Sequence, residues 1–495
     1  MKLKPKHIQI SSGGPYVAIL NLKDCEDNDI HRGDRIQIYS KSKSVVAIVD
    51  TTMDDSFVAQ GEIGFTYEIS KKLRVTNPVS VEPMGKPYSL KHIRKKLDGS
   101  KLTKKEIFEI ISDIVNNKLS EVEIAYFAAA GYVRKFSFEE TVALTEAMVN
   151  TGSILNLNSK IVLDKHCIGG VAGNRTTMLI VPILASLGFV VPKTSSRSIT
   201  SPAGTADTME VLANVALDLK TVKRVVEKTN GCIVWGGALS LAPADDAIIR
   251  VEHPLAIDAV GQMIASVLAK KKSVSSTHVL IDVPYGRGSK VSDLRKAKKL
   301  AELFVAVGKR IGLKIKVVFT AGKEPVGNGI GPALEARDVL YVLMNHENQP
   351  LDLREKALML AGNLIELATR KKNGYRLAKK ALDSGLAYRK MIEIIKAQGK
   401  KVTRPQEITL SEDYFDAKVS NSGIISYLNN RLISELALTA GAPKDKRAGI
   451  YLFKHTKQTI KKGETLFRVY AENPKKLAFA KEFYERNKKH FIELK

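Results

Sequence analysis

The chain has 495 residues, 44% of them hydrophobic, and a formal net charge of +26 at neutral pH. That length is more than one core can use, and that apolar share is what packed chains carry, so three or four globular domains are expected. The charge would attract nucleic acid, anionic membrane or small anionic substrates. Its lysines and arginines, however, lie in short groups along the whole length, such as KHIRKK from Lys91 and KKK from Lys270, which reads as solvated helix faces rather than a basic arm.

Residues 1–86 read as a β-rich, barrel-like domain, with alternating runs such as YVAILNL, DRIQIYS and SVVAIVD between Gly, Asp and Asn punctuation. Residues 87–158, joined by about 243–273, read as helical. Three capping boxes, Thr103 with Glu106, Ser120 with Glu123 and Ser137 with Glu140, mark three successive helix starts. In each, the hydroxyl can accept from the N3 amide while the carboxylate reaches back to the cap. In 159–242 and 274–414, the runs IVLDKH, MLIVPI, VLIDVPY and IKVVFT are predicted as strands alternating with helices such as 292–310 and 333–345, the pattern of a mainly parallel sheet. Residues 415–495 carry strands in YFDAKVS, AGIYLF and ETLFRVYAE and end in a charged helix. The expected fold class is α/β: a helical domain facing a mainly parallel-sheet α/β domain across a cleft, with a β-rich N-terminal domain and a small C-terminal α/β domain.

Three cysteines, Cys25, Cys167 and Cys232, lie far apart with no CxxC pair, which argues against a zinc site or a disulfide framework. The N-terminus MKLKPKHIQI lacks a hydrophobic signal core, and no window of 18 or more residues is uninterruptedly apolar. A cytoplasmic protein without a membrane partner is expected.

Between Asp164 and Glu210, two glycine-punctuated loops, DKHCIGGVAGNRTT and SSRSITSPAGTAD, flank the apolar run MLIVPILASLGFVVP. That run has the length of a buried strand and helix, so both loops can return to one edge of a sheet. Their backbone N–H groups, hydroxyls and cations can surround a phosphate. In the first loop the candidates are Lys165, Gly169, Gly170, Thr176 and Thr177, with a tight strand-to-helix turn as the alternative. It has no GxxxxGK[ST], and nothing fits GxGxxG followed by an acidic residue, which argues against ATP and NAD chemistry. In the second loop, Arg197 sits among Ser195, Ser196, Ser198, Thr200, Ser201 and Thr205, more hydroxyl than a turn needs. Asp207 and Glu210 read as structural acids opening a helix.

Further on, Asp258, Ser266 and Lys270 are spaced by eight and four, close to whole helical turns, and fall near one helix face. An ordinary surface helix is the alternative. His166 and His253 are lone histidines, Trp235 reads as core before base-binding wall, and EPVGNGIGPALEARDVL reads as a structural glycine loop opening a helix.

Taken together, SSRSITSPAGTADTME, with KH-x-x-GG upstream and S-x-x-x-K downstream, resembles the thymidine phosphorylase family of pentosyltransferases. The resemblance spans roughly 90–495. It is greatest to the family's long branch, which contains AMP phosphorylase and has an extra N-terminal domain. It implies a helical dimerisation domain, a homodimer or higher homo-oligomer, and a reaction in which phosphate attacks the anomeric carbon of a nucleoside or nucleoside 5′-monophosphate, releasing base and pentose 1-phosphate. Inorganic phosphate is the co-substrate, without metal or organic cofactor.

Carried over by position, the resemblance implies phosphate contacts from Lys165, Ser195 and Thr205, with Thr176 or Thr177 as a further one. Gly169, Gly170 and the stretch Ser196, Arg197, Ser198, Ile199, Thr200 and Ser201 would line the substrate, and the added hydroxyls there suit a 5′-phosphate. Ser266 and Lys270 match base-contacting positions, Asp258 the proton donor of AMP phosphorylase, and Lys290 a nucleotide-contacting lysine there. Cys167 stands where the shorter pyrimidine enzymes place a phosphate-binding Ser, and Arg250, Val251 or Glu252 where they place a base-binding Arg. These details favour conversion of AMP and phosphate to adenine and ribose 1,5-bisphosphate, with thymidine phosphorolysis as the alternative. Anthranilate phosphoribosyltransferases, similar in fold, need a pyrophosphate and magnesium site whose acidic ligands have no counterpart in this reading. A nucleic-acid-binding protein is the non-enzymatic alternative, motivated by charge alone.

Overall fold

The computed structural model describes residues 1–495 except Ser42, Ile199, Thr200, Ala256 and Asp258, and Leu255 in its backbone alone. The chain forms two compact units, Met1–Ser153 with Ala242–Ala269, and Ile154–Leu241 with Lys270–Lys495.

In the first unit, β1 (Lys2–His7), β2 (Val17–Asn21), β3 (Arg35–Ser40), β4 (Lys43–Thr52), β5 (Glu62–Phe65) and β6 (Val79–Met84) close into a barrel in the order β1-β5-β2-β4-β3-β6. Alternation fills it: Ile36, Ile38, Val45, Ala47, Ile63 and Phe65 point to one core. Two short helices, α1 (Leu22–Asp27) and α2 (Tyr67–Leu73), lie between the strands of a segment that reads as β-rich; at six and seven residues they are too short to print a helical period. The helical module follows with α3 (Ser89–Leu97), α4 (Lys104–Val115), α5 (Glu121–Arg134) and α6 (Phe138–Asn150). All three capping boxes form, each closing both reciprocal hydrogen bonds.

The second unit begins with β7 (Leu163–Cys167), α7 (Thr176–Ser186), β8 (Val191–Ser195), α8 (Thr205–Leu212), α9 (Leu219–Thr229) and β9 (Gly231–Trp235). The chain then passes through α10 (Pro243–Glu252) to α11 (Val260–Ser273), whose last residues belong to the second unit. It continues with β10 (His278–Tyr285), α12 (Leu294–Arg310), β11 (Lys314–Ala321), β12 (Gly329–Ile330), α13 (Pro332–Leu343), α14 (Leu351–Thr369), α15 (Gly374–Asp383) and α16 (Leu386–Ala397).

Strands β11, β10 and β7 pair in parallel, β8 and β9 likewise, and a parallel bridge between Val162 and Val190 places β7 beside β8. Helices α7, α13, α14 and α16 supply the largest core. The last segment holds β13 (Tyr414–Lys418), β14 (Gly423–Leu428), α17 (Asn430–Thr439), β15 (Gly449–Leu452), β16 (Thr459–Ile460), β17 (Thr465–Tyr470), α18 (Pro474–Asn487) and β18 (Ile492–Leu494) around Phe467, Tyr484 and Phe491. β12 joins its antiparallel sheet through β15.

One element is corrected. MLIVPI, predicted as a strand, lies inside α7, where every residue from Thr176 to Ala185 is buried. A helix covered on all sides has no polar face, so its sequence shows no 3.6-residue period and passes for a buried strand. The strand is the next segment, VPKTS of β8.

The helical module contains a fully buried ion pair, Lys96 with Glu140 at 2.8 Å, their side chains 3% and 2% exposed. Burial alone would raise the Glu140 carboxyl, but the Leu102 N–H and the Lys96 ammonium outweigh it and hold it below the usual range. Removing one partner of such a pair leaves an uncompensated charge. Lys96→Met is therefore expected to lower the unfolding free energy by about 3–5 kcal/mol in urea denaturation; a loss below about 1 kcal/mol would show that Glu140 does not depend on its partner.

Candidate active site

The two glycine loops leave the C-terminal ends of neighbouring parallel strands, the first running from β7 to α7 and the second from β8 to α8. In the first, Gly170 has φ +83°, and a Cβ there would lie 2.3 Å from the Lys290 backbone nitrogen; at Gly173 it would lie 2.3 Å from the Val326 carbonyl oxygen. Only glycine allows both the left-handed backbone and this close approach.

Arg175 staples the two loops together. Its guanidinium pairs with Glu335 and donates to the Ala203 carbonyl and, at 3.3 Å, to Thr205 Oγ1. Asp207, in the first turn of α8, accepts from the Ser198 N–H at 2.7 Å and the Gly204 N–H at 2.9 Å, closing the second loop on itself. Arg197 makes a bidentate pair with Glu210 at 2.6 and 2.5 Å and lies over the ring of half-buried Trp235, 5.0 Å from its centroid. Lys446 reaches Asp207 and Glu210 at 3.1 Å each. The Arg197 hydrogen bonds, with those from Lys446, hold the Glu210 carboxyl at about 2 despite its partial burial.

Below the loops, two fully buried aspartates each serve two lysines. Asp164 lies 2.8 Å from Lys271 Nζ and 3.5 Å from Lys193 Nζ. Asp282 Oδ2 lies 3.5 Å from Lys165 Nζ and 3.7 Å from Lys356 Nζ, while Thr320 donates to Asp282 Oδ1 at 2.7 Å. Lys165 Nζ also donates to Thr176 Oγ1 at 3.0 Å, and Lys193 Nζ to the Lys165 carbonyl at 2.8 Å.

The cluster sets the local proton chemistry. Burial pushes the Lys193 ammonium down to about 7; the charges of Lys271 and Lys165 add to this and Asp164 opposes it. Burial and the same lysines keep the His166 imidazole well below its ordinary range, hence neutral at pH 7. Burial, with the Asp282 charge, raises the Cys167 thiol, so the sulfur remains protonated while accepting from Asn174 Nδ2 at 3.3 Å.

The fold thus brings most of the sequence candidates to a few neighbouring turns of the second unit. Lys165, Thr176, Thr177 and Thr205 are buried; Gly169, Ser195, Arg197 and Ser198 are half-buried; Gly170, Ser196 and Ser201 are exposed. Lys290, exposed on the turn after β10, abuts Gly170 through its backbone. Ser266 belongs to the first unit, where its hydroxyl donates to Asp245 Oδ2 at 2.7 Å, and Lys270 lies one turn further along α11. Arg250 pairs with Glu121 at 2.9 Å. Asp258, Ile199 and Thr200 lie outside the described residues.

Asp164, Lys193, Lys271, Asp282, Lys356 and Glu335 escape the sequence reading. A lone Asp inside the apolar run VLIDVPY was the available signal, because an acid in a buried strand needs a buried partner. Among the described residues no group of His, Cys, Asp and Glu could hold a metal ion, and no helix is long and apolar enough to cross a membrane.

Residues 90–152 match the helical bundle domain of a glycosyl transferase family, 159–388 that family's a/b domain, and 424–488 the pyrimidine nucleoside phosphorylase C-terminal domain. Over 99% of its length the chain is 44% identical to an AMP phosphorylase of Thermofilum pendens, covering 94% of that protein. The chain belongs to the thymidine phosphorylase and AMP phosphorylase family. It is a pentosyltransferase of the phosphorylase type. An AMP phosphorylase of Thermococcus kodakarensis is 42% identical over 96% of this chain and 95% of its own length. A "Putative thymidine phosphorylase" of Bradyrhizobium diazoefficiens is 43% identical over 95% and 92%. The fold is shared with anthranilate phosphoribosyltransferase from Thermus thermophilus, at a TM-score of 0.52 and 19% identity over 62% of this chain and 98% of that one.

The Arg197–Glu210 pair carries a pH signature. The folded-state Glu210 carboxyl sits at about 2, below its ordinary 4.5, so its contribution is complete above pH 4.5 and is lost as pH falls from 4.5 toward 2. Glu210→Gln is expected to cost about 2 kcal/mol in urea denaturation at pH 7 and clearly less at pH 3; an equal cost at both would contradict the pairing.

Proposed function

We propose that the chain catalyses phosphorolysis of a nucleoside 5′-monophosphate, converting AMP and inorganic phosphate to adenine and ribose 1,5-bisphosphate. The observation that carries this reading is the pair of glycine- and hydroxyl-rich loops at adjacent strand ends above a lysine-rich buried cluster. The similarity to AMP phosphorylases over nearly the whole chain supports the nucleotide as substrate.

In this reading a phosphate oxygen attacks C1′ as the C1′–N9 bond breaks, and the electron pair of that bond leaves with the purine. Lys165, Gly169, Thr176, Thr177, Ser195 and Thr205 hold the attacking phosphate; Gly170, Lys290 and the stretch from Ser196 to Ser201 hold the nucleotide. A fixed, partly desolvated set of donors favours the charge distribution of the transition state over that of the separated reactants. Ser266 and Lys270 contact the base, and Asp258 gives it the proton it needs to depart. Neither metal nor organic cofactor is required. The enzyme works as a homodimer or higher homo-oligomer in the cytoplasm.

Thymidine phosphorolysis is the second reading, supported by the thymidine phosphorylase name of one relative and by the pyrimidine-type C-terminal domain. The two separate in one experiment: base release from AMP, CMP, UMP, thymidine and uridine, with and without phosphate, followed by chromatography. Phosphate-dependent adenine from AMP is expected; thymine from thymidine with AMP untouched would overturn the nucleotide assignment. Asp258→Asn is expected to lower kcat on AMP by about 10²-fold or more, and near-normal turnover would remove Asp258 from the acid role.

A further inference from the structure

The first glycine loop is held from outside its own domain segment. Asn430, the first residue of α17, is 1% exposed, and its side-chain amide spans the loop: Oδ1 accepts from the Ala172 N–H at 3.0 Å and Nδ2 donates to the Gly170 carbonyl at 2.9 Å. Ala172 is buried in the same core cluster as Ile330, Ile433 and Leu436 of the C-terminal segment. One amide therefore fixes the C=O before Val171 and the N–H after it, and with them the orientation of the two peptide planes that follow Gly170.

The same segment reaches the other two loops. Lys446 holds the acids that close the second, and Arg287, two residues after the end of β10, stacks on Tyr427 at 4.0 Å while pairing with Glu493. We propose that Asn430 is a positioning residue for the phosphate-contacting glycine loop, so that the C-terminal domain sets the affinity for the attacking phosphate without touching it. This rests on the phosphorolysis reading of that loop.

The geometry separates the two halves of the clamp. Asn430→Ala removes both hydrogen bonds, whereas Asn430→Asp keeps the acceptor for Ala172 and loses the donor to Gly170. In the full-length enzyme, Asn430→Ala is expected to raise the KM for phosphate tenfold or more with kcat within threefold, and Asn430→Asp to raise it at least as far, because a buried carboxylate then faces the Gly170 carbonyl. Amide exchange at Ala172 should quicken in Asn430→Ala and less in Asn430→Asp. A purely architectural residue would lower the melting temperature and leave the KM for phosphate unchanged; that result overturns the proposal, and Asn430→Asp still decides it if Asn430→Ala does not fold.

Calorimetric titration with inorganic phosphate keeps the two ideas apart. If the wild-type chain binds no phosphate, the phosphorolysis reading itself fails. If wild type binds and both variants bind equally well, only the clamp fails. Binding by wild type with a tenfold or greater loss in Asn430→Ala supports both.

Discussion

Two buried carboxylates organise the chemistry of the larger unit. Asp164 and Asp282 stand on adjacent parallel strands, each without solvent exposure, and between them they receive Lys165, Lys193, Lys271 and Lys356. A carboxylate in a sheet interior is stable only with such partners, and lysines that far from water only with such acids. The arrangement gathers four lysines around two carboxylates, the Lys193 ammonium being pushed down by burial; the same lysines and burial keep His166 neutral, and burial with the Asp282 charge keeps Cys167 a thiol. A preformed positive field with no titrating imidazole in it is suited to a dianionic nucleophile.

On that base, three loops are fixed to one another rather than left to fold alone. Arg175 and Glu335 join the first glycine loop to the second, and Thr208 adds a hydrogen bond to the same Glu335 carboxylate at 2.8 Å. The backbone of Lys290 fits against Gly170 so closely that no side chain could intervene. Arg197, whose position among hydroxyls invites a phosphate role, spends both terminal nitrogens on Glu210 and Asp207 and its face on Trp235, which ties the start of the second loop to α8 and the end of β9. Donors held in place by such contacts need not reorganise during a reaction.

What the sequence disclosed followed the range of each interaction. The capping boxes at Thr103, Ser120 and Ser137 are four-residue devices and could be read directly, as could the alternation of the barrel strands. The two loops were visible because glycine and hydroxyl density is local, and their convergence could be inferred because a strand and a helix fit between them. MLIVPI misled because complete burial erases periodicity. Asp282, Lys356, Glu335, Asn430 and Lys446 stayed hidden for another reason: their partners lie far away in the chain, so no window of sequence shows a lysine of α14 facing an aspartate of β10.

The most direct test of the loops as a place where a carbon–oxygen bond is made is isotopic. AMP is converted in the presence of inorganic phosphate fully labelled with oxygen-18, and the sugar product is analysed by mass spectrometry and phosphorus NMR. Phosphorolysis predicts ribose 1,5-bisphosphate whose anomeric bridging oxygen carries the label, with adenine formed in equal amount. Ribose 5-phosphate bearing an unlabelled anomeric hydroxyl would mean that water, not phosphate, is the nucleophile, and would contradict the assignment of these loops.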